Sequence, residues 1–133
     1  MVTREDFESY LLRLGVEYEE VDDGLWVIRS DETTSIVVSY SAPLVVLRLK
    51  VMDLPEWDDS RCGPLYRRLL ELNATDIVHG SYGIEGNEVV ISDALDLESL
   101  DFSELRSSYE SLALAATSHT PKLVELVAVA QEG

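Results

Sequence analysis

An α+β domain, with helices packed on one face of an antiparallel sheet, is the fold class that this sequence predicts. Apolar residues near the start, the middle and the end of the chain recur at helical spacing. Between these segments, six short apolar runs change to a period of two and are separated by turn residues. The connections among the first four runs, and between the last two, are too short for a parallel crossover, so we expect these neighbouring strands to pair antiparallel.

The first helix is predicted over residues 4–14. Thr3 can cap its first turn, and Asp6 can return the capping bond three residues later. Apolar residues from Phe7 onward keep helical spacing until Gly15, which can end the helix.

Four short strands follow, separated by turns rich in Asp, Ser, Gly and Pro. They are predicted at residues 16–21, 25–29, 35–40 and 44–52. Because their connections are short, a meander is the simplest arrangement.

A second helix is predicted over residues 64–73, because Pro64 suits the first helical position. A hairpin comes next, over residues 77–84 and 88–92, with Gly86 and Asn87 at a primed turn. In that register Tyr82 faces Ile91 and Ile84 faces Val89, and these four side chains form the core side.

The last helix begins after Asp101, a possible cap, and is predicted to about residue 118. Thr120 and Pro121 leave two alternatives, a separate final helix or a kinked continuation through residue 129. The element order is therefore α-β-β-β-β-α-β-β-α. The predicted core consists of Phe7, Leu11, Leu14, Leu69, Leu72, Tyr82, Ile84, Val89, Ile91, Leu105 and Leu112.

Length and composition set broad limits on this protein. The 133 residues match one domain, expected over residues 1–133, and 46% hydrophobic residues are too many for a disordered acidic tail. The start of the chain lacks the basic and apolar pattern of a secretory signal. The longest apolar runs fall far below the roughly 20 residues of a membrane helix. We therefore expect a cytoplasmic protein.

The charge is strongly acidic, with 26 Asp and Glu against 10 Lys and Arg and a formal net charge of -16. Such a field repels phosphate backbones and anionic lipids, so nucleic acids and membranes are poor candidate partners. Either the charge serves only solubility or adaptation to salt, or it attracts a basic partner.

A family resemblance lies in the order of elements in the second half of the chain: a helix ending near an asparagine, a glycine-aromatic strand, a hairpin and a final helix. The residues that carry it are 65–73, 79–84, 89–92 and 100–101. This pattern resembles the C-terminal half of the YbjN-like family. The upstream elements are similar to those of the type III secretion chaperones of the CesT type. The resemblance implies an α+β sandwich that commonly dimerises and presents sheet and helix surfaces to extended segments of a partner. It implies no catalytic residue.

No group of residues forms a recognisable catalytic, metal or cofactor site. His79 and His119 lack partners at metal-ligand spacing, and Cys62 has no histidine nearby in sequence to activate it. The acidic segments 19–23 and 53–59 lack the pattern of a calcium loop. We expect a protein that is not an enzyme and needs no cofactor or metal.

Several strands are apolar on both faces, which a sheet covered by helices on one side does not require. Three covers stay open for the second face: a partner chain, a second copy, or residues 121–133 of this chain. Candidate partner contacts on these strands are Trp26, Val37, Val45 and Val90.

The expected function is binding of a protein or peptide segment by a chaperone-like homodimer. The first alternative is an acidic dimeric regulatory or adaptor domain, whose dimer interface buries the surplus apolar surface. A small enzyme that uses acidic residues ranks last, because no acid pair adjoins a nucleophile.

Overall fold

The protein, described as a computed structural model over residues 1–30 and 34–132, has the element order that the sequence predicts. The helices and strands are α1 (Arg4–Arg13), β1 (Glu17–Asp22), β2 (Leu25–Arg29), β3 (Ser35–Ser41), β4 (Leu44–Asp53), α2 (Asp59–Thr75), β5 (Ser81–Glu85), β6 (Glu88–Asp96) and α3 (Phe102–Glu132).

All six strands join one antiparallel sheet in the order β1-β2-β3-β4-β6-β5. The first four strands form the predicted meander. The hairpin of β5 and β6 extends it because β6 pairs with β4, with Leu49 opposite Ile91. β1 and β5 are therefore the two edges of the sheet.

α1 begins at the predicted cap. The Asp6 backbone N–H donates to Thr3 Oγ1 at 3.2 Å, and the Thr3 N–H donates to Asp6 Oδ2 at 3.4 Å. This reciprocal pair satisfies two of the backbone donors that the helix leaves free at its start. Phe7 and Leu11 then bury the inner face of α1 completely.

α2 begins earlier than predicted, so the prediction that Pro64 opens it is wrong. Asp58 is the N-cap, and its side chain accepts a hydrogen bond of 2.9 Å from the Arg61 N–H. Pro64 lies inside the helix, in its second turn, where its missing N–H removes one helical hydrogen bond. The Asp58 cap, and not Pro64, therefore sets the start of α2.

The hairpin has the predicted register, with Tyr82 opposite Ile91 and Ile84 opposite Val89. Tyr82, Val89 and Ile91 are buried, as predicted, but Ile84 is 46% exposed. The prediction of Ile84 as core is wrong because it lies next to the turn on an edge strand, with no strand beyond it.

β5 is also shorter than predicted, and β6 is longer. Residues 77–80 form a loop before β5, so His79 is not a strand residue. Gly80 in this loop has φ +84°, a left-handed conformation that interrupts an extended strand.

α3 is one continuous helix, so the alternative of a separate final helix is excluded. Pro121 lies inside it, and the buried residues His119 and Leu123 flank the proline on the inner face. Leu126 and Val127 also pack against the main core. The described C-terminal part of the chain therefore covers the helix side of the sheet, not its second face.

The three helices lie on one face of the sheet, over a single cluster of buried side chains. The core prediction is confirmed for nine of its residues, while Leu14 is half-buried and Ile84 exposed. The nine are Phe7, Leu11, Leu69, Leu72, Tyr82, Val89, Ile91, Leu105 and Leu112.

Candidate partner-binding surfaces

The face of the sheet opposite the helices carries apolar side chains on three neighbouring strands, β2, β3 and β4. Val27 lies opposite Val37, and Ser39 of the same face lies between Leu25 and Val46. These four apolar side chains are half-buried, and Leu44 at the end of β4 is exposed. We call the set the open-face strip: Leu25, Val27, Val37, Leu44 and Val46. Within the described residues no helix covers it.

Ion pairs border the strip on both sides. Arg29 pairs with Glu19 at 3.0 Å across β1 and β2. On the other side, Arg48 pairs with Glu85, and Lys50 lies 3.0 Å from Glu88. Exposed pairs of this kind add little stability, so their main effect is to keep charge beside an apolar surface.

Lys50 also pairs with Asp53, 2.9 Å away. The Lys50 ammonium donates hydrogen bonds to the carboxylates of Asp53 and Glu88, and these bonds raise its pKa above the usual value. Lys50 is therefore a fixed positive charge at the border of the strip.

The four predicted contact residues separate into two pairs. Trp26 and Val45 lie on the helix-covered face and are fully buried, so they have no surface to offer a partner. Val37 lies in the open-face strip. Val90 shares that face but is buried, because the Arg48–Glu85 ion pair spans from β4 to β5, the strands on either side of it.

The sequence interpretation missed Leu25, Val27, Leu44 and Val46. A signal for them was present in β4, where Arg48 and Lys50 occupy one face. Because side chains alternate along a strand, these cations mark the face that also carries Leu44 and Val46. The buried Leu47 and Leu49 mark the face that includes Val45.

β1 forms an acidic edge. Its carboxylates Glu17, Glu19, Glu20 and Asp22 are exposed, while Tyr18 is half-buried and burial raises the pKa of its hydroxyl. Arg4 of α1 pairs with Glu20 and Asp23, which fixes the helix against this edge. An edge strand has unpaired backbone donors and acceptors that a further strand can use.

β5, the opposite edge, borders an apolar groove of about 260 Å³ beside α2. Leu70 on α2 and Ile84 on β5 are exposed there. Asn73 fixes the two elements, because its side chain accepts from the Tyr82 N–H at 2.7 Å and donates to the Tyr82 carbonyl at 3.2 Å. We call this surface the α2–β5 groove, lined by Tyr66, Leu69, Leu70, Asn73, Tyr82, Gly83 and Ile84.

His119 connects three elements through a hydrogen-bond chain. Its Nδ1 lies 2.7 Å from the Tyr82 hydroxyl, and its Nε2 lies 3.3 Å from Asp76 Oδ2. Burial raises the pKa of Tyr82 to about 12, so at neutral pH the phenol is protonated and can donate to Nδ1. The Nε2–H then donates to Asp76, which leaves a structural link and no free nucleophile.

Cys62, which the sequence offers as a possible reactive thiol, is a buried free thiol at the start of α2. Over the described ranges, no three His, Cys, Asp or Glu side chains come together as a metal site would require. In the same part of the chain, none of the helices has the length and apolar character needed to cross a membrane.

Comparison with solved structures shows the same fold in secretion proteins. SpcU and ExoU of Pseudomonas aeruginosa were solved as a heterodimeric complex of the type III secretion system. A chain of that structure matches with a TM-score of 0.68 at 12% identity, over 85% of this chain and 93% of the other. The Yersinia pestis chaperone SycH, solved with a fragment of YscM2, matches with a TM-score of 0.60 at 16% identity, over 84% and 93% of the two chains.

YbjN of E. coli matches with a TM-score of 0.68 at 14% identity, over 92% of this chain and 94% of the other. A sequence comparison with curated proteins finds no match. The family model described as CesT_Tir_1, by contrast, matches residues 2–129. The chain therefore belongs to the CesT/Tir family of secretion chaperones, which are not enzymes.

Proposed function

We propose that this protein is a cytoplasmic, chaperone-like protein that binds an extended segment of a client protein. The observation that carries the proposal is the open-face strip, an apolar surface in the centre of a sheet face that no described helix covers. A client segment laid across this face would bury apolar area, the main source of affinity in such a contact.

The acidic β1 edge adds a second component to the proposal. Glu17, Glu19 and Asp22 surround backbone groups that a basic extended segment could pair with. Electrostatic attraction raises the association rate and weakens as salt screens it, whereas apolar burial persists in salt. Family members solved with bound protein partners, such as SycH with a fragment of YscM2, support this mode of action.

We also propose a homodimer, formed through the α2–β5 groove. Exposed Leu70 and Ile84 give two copies an apolar contact there. α2 also carries Arg67 and Arg68, so copies that carry a net charge of -16 repel each other less at this helix. A dimer through α2 leaves the open-face strip free for a client.

The test begins with affinity purification of partners from native cells and identification by mass spectrometry. Peptides from the enriched protein are then titrated by calorimetry into the wild type and a Val37→Thr/Val46→Thr variant. Threonine keeps the branched shape but replaces a methyl group with a hydroxyl at each position. We expect affinity to fall about tenfold, the scale of two lost apolar contacts.

The matched control is Leu12→Ser, which alters an exposed leucine on α1, away from the strip. It should bind like the wild type. Equal affinity for the strip variant and the control would contradict the proposal. If the strip variant instead becomes monomeric, the strip is the dimer interface, and the protein is the acidic dimeric adaptor of the alternative hypothesis.

A further inference from the structure

Two irregularities of the backbone face each other across a groove on the helix side of the sheet. The groove has a volume of about 510 Å³ and lies between the end of β4 and the second half of α3. Leu49 and Val51 line it from β4, and Ala116, Pro121 and Val124 line it from α3. We call it the β4–α3 groove. Among the described residues, it shares none with the open-face strip or the α2–β5 groove.

The first irregularity is a bulge in β4. This strand pairs with β6 at Lys50 and again at Met52, but the partners of these two residues are adjacent in β6. Val51 therefore has no residue opposite it in β6. A bulge redirects the side chain that it carries, and bulges often lie beside binding sites. The half-buried Val51 side chain lines the groove.

The second irregularity is Pro121, which lies inside α3. Proline has no N–H, so the carbonyl of Thr117, four residues earlier, lacks the donor that a regular helix supplies. A helical carbonyl points along the axis toward the residue four positions later. Because Thr117 and Pro121 both line the groove, this free acceptor lies on the groove wall.

The Thr117 side chain adds a second acceptor beside the first. Its hydroxyl donates to the Ala113 carbonyl at 3.0 Å, so the hydroxyl proton is already used. The oxygen of that hydroxyl can still accept a hydrogen bond. A ligand that brings an N–H or O–H donor to this part of the wall therefore gains a hydrogen bond.

Charge indicates an uncharged occupant. In a chain with 26 Asp and Glu, none of the described residues that line the groove is a carboxylate. Lys50 is the one charged residue among them, and its ammonium is already paired with Asp53 and Glu88. The two charged residues of α3 that adjoin the groove in sequence, Lys122 and Glu125, have opposite signs. The groove therefore favours neither a basic nor an acidic side chain.

The openness of the groove distinguishes a side chain of another protein from a free small molecule. Sites for small molecules bury most of the surface of their ligand. Here Leu49 and Ala116 form a buried floor, but Thr117, Pro121 and Val124 on the α3 wall are exposed. A groove of this shape suits a side chain that a polypeptide presents. Trp and Tyr each combine an apolar ring with one donor and are enriched at protein interfaces, and the volume favours the larger ring of Trp.

We infer that the β4–α3 groove is a docking site for an uncharged segment of another protein that inserts a tryptophan side chain. The indole ring packs between Val51 and Val124, and its N–H donates to the Thr117 carbonyl. This site is independent of the client surface proposed above, because it lies on the opposite side of the sheet.

The probe is the uncharged peptide acetyl-Ala-Trp-Ala-amide. Its control is the same peptide with the indole nitrogen methylated, which keeps the ring but removes the donor. Titrations are followed by NMR on methyl-labelled full-length protein. We expect the tryptophan peptide to shift the methyl signals of Val51 and Val124. The wild type should bind it about tenfold more tightly than the methylated peptide, which leaves the Thr117 carbonyl unpaired.

Pro121→Ala tests the acceptor itself. Alanine supplies the missing N–H, so the Thr117 carbonyl is bonded within the helix and the preference for the tryptophan peptide over the methylated one should disappear. Pro64→Ala is the matched control, because it restores the same kind of bond in α2, away from the groove, and it should keep the preference. Alanine is the better helix former in both places, so the fold is expected to persist.

Unchanged Val51 and Val124 signals, equal affinity of the wild type for the two peptides, or a Pro121→Ala variant that keeps the preference would each overturn the inference. So would a change from dimer to monomer in Pro121→Ala, since the occupant would then be a second copy. The Val37→Thr/Val46→Thr variant should bind the tryptophan peptide like the wild type, which separates this test from that of the open-face strip. Weaker binding by that variant would place the peptide on the strip instead.

Discussion

Gly80 holds the loop before β5 against the neighbouring strand. A Cβ atom at this position would lie 2.5 Å from the Ser92 carbonyl oxygen and 3.0 Å from a methyl group of Leu112. The left-handed φ of +84° adds a penalty for any residue with a side chain. Glycine is therefore required here both by conformation and by space.

We predict that Gly80→Ala lowers the free energy of unfolding by more than about 2 kcal/mol, since it combines backbone strain with a backbone clash. Gly86→Ala is the matched control, because Gly86 also has positive φ but nothing lies within 4 Å of its added Cβ. The control should lose only about 1 kcal/mol from conformation. Urea unfolding of both variants measures the difference, and equal losses would show that the clash with Ser92 is relieved.

Tyr82 makes stability depend on pH at the alkaline end. Its pKa is raised from 10.0 to about 12, mainly by burial. In that interval the unfolded chain loses the phenol proton while the folded chain keeps it. The stabilising contribution is thus complete below pH 10 and is lost as pH rises through about 12. We expect Tyr82→Phe to have a flatter stability curve between pH 10 and 12, measured by urea unfolding. An unchanged slope would contradict the assignment.

At the scale of elements, the inner face of α2 and the hairpin carry much of the packing. Leu72 and Ile91 are almost completely buried. Truncation of either to alanine should cost about 2 to 5 kcal/mol, the usual range for a buried aliphatic side chain. Leu12→Ala on the outer face of α1, away from the proposed dimer contact, should cost less than about 0.5 kcal/mol. Chemical denaturation compares the three variants, and costs as small as that of Leu12→Ala at both Leu72 and Ile91 would mean that the faces of α2 and the hairpin are misassigned.

Elements with strong local signals were predictable from the sequence. The capping box of Thr3 and Asp6 gives the start of α1, and the turn at Gly86 gives the register of the hairpin. The sequence misplaces the start of α2 because Asp58 and Pro64 both suit the start of a helix, and in the structure the Asp58 cap sets it. The exposure of Ile84 depends on strand order, which no local signal encodes.

The candidate site was also predictable only in part, because it depends on which face of the sheet the helices cover. A period of two shows which residues share a face but not which face the helices cover. Trp26 and Val37 were therefore chosen together, although the structure places them on opposite faces. The Tyr82–His119–Asp76 chain joins residues far apart in sequence, so no spacing pattern could indicate it.

At the scale of the whole molecule, assembly and charge act against each other. Light scattering at micromolar concentration should give about twice the mass of one chain, with the dimer favoured by salt because screening reduces repulsion between two strongly acidic copies. Leu70→Glu should weaken the dimer through the α2–β5 groove, and Leu12→Glu should not. A monomeric mass across concentrations at both low and high salt would contradict the homodimer.

The strand order also determines how far copies can associate. A sheet grows into a fibre only if both of its edges accept further strands, as the exposed edges of aggregating proteins do. Here β1 carries four carboxylates, so two β1 edges brought together repel each other, while β5 lies at the opposite side of the sheet. Copies that join near β5, as in the homodimer that we propose, would leave only acidic edges outward. We therefore expect association to end at a closed pair, so that the apolar surface stays in water without fibrillar aggregation.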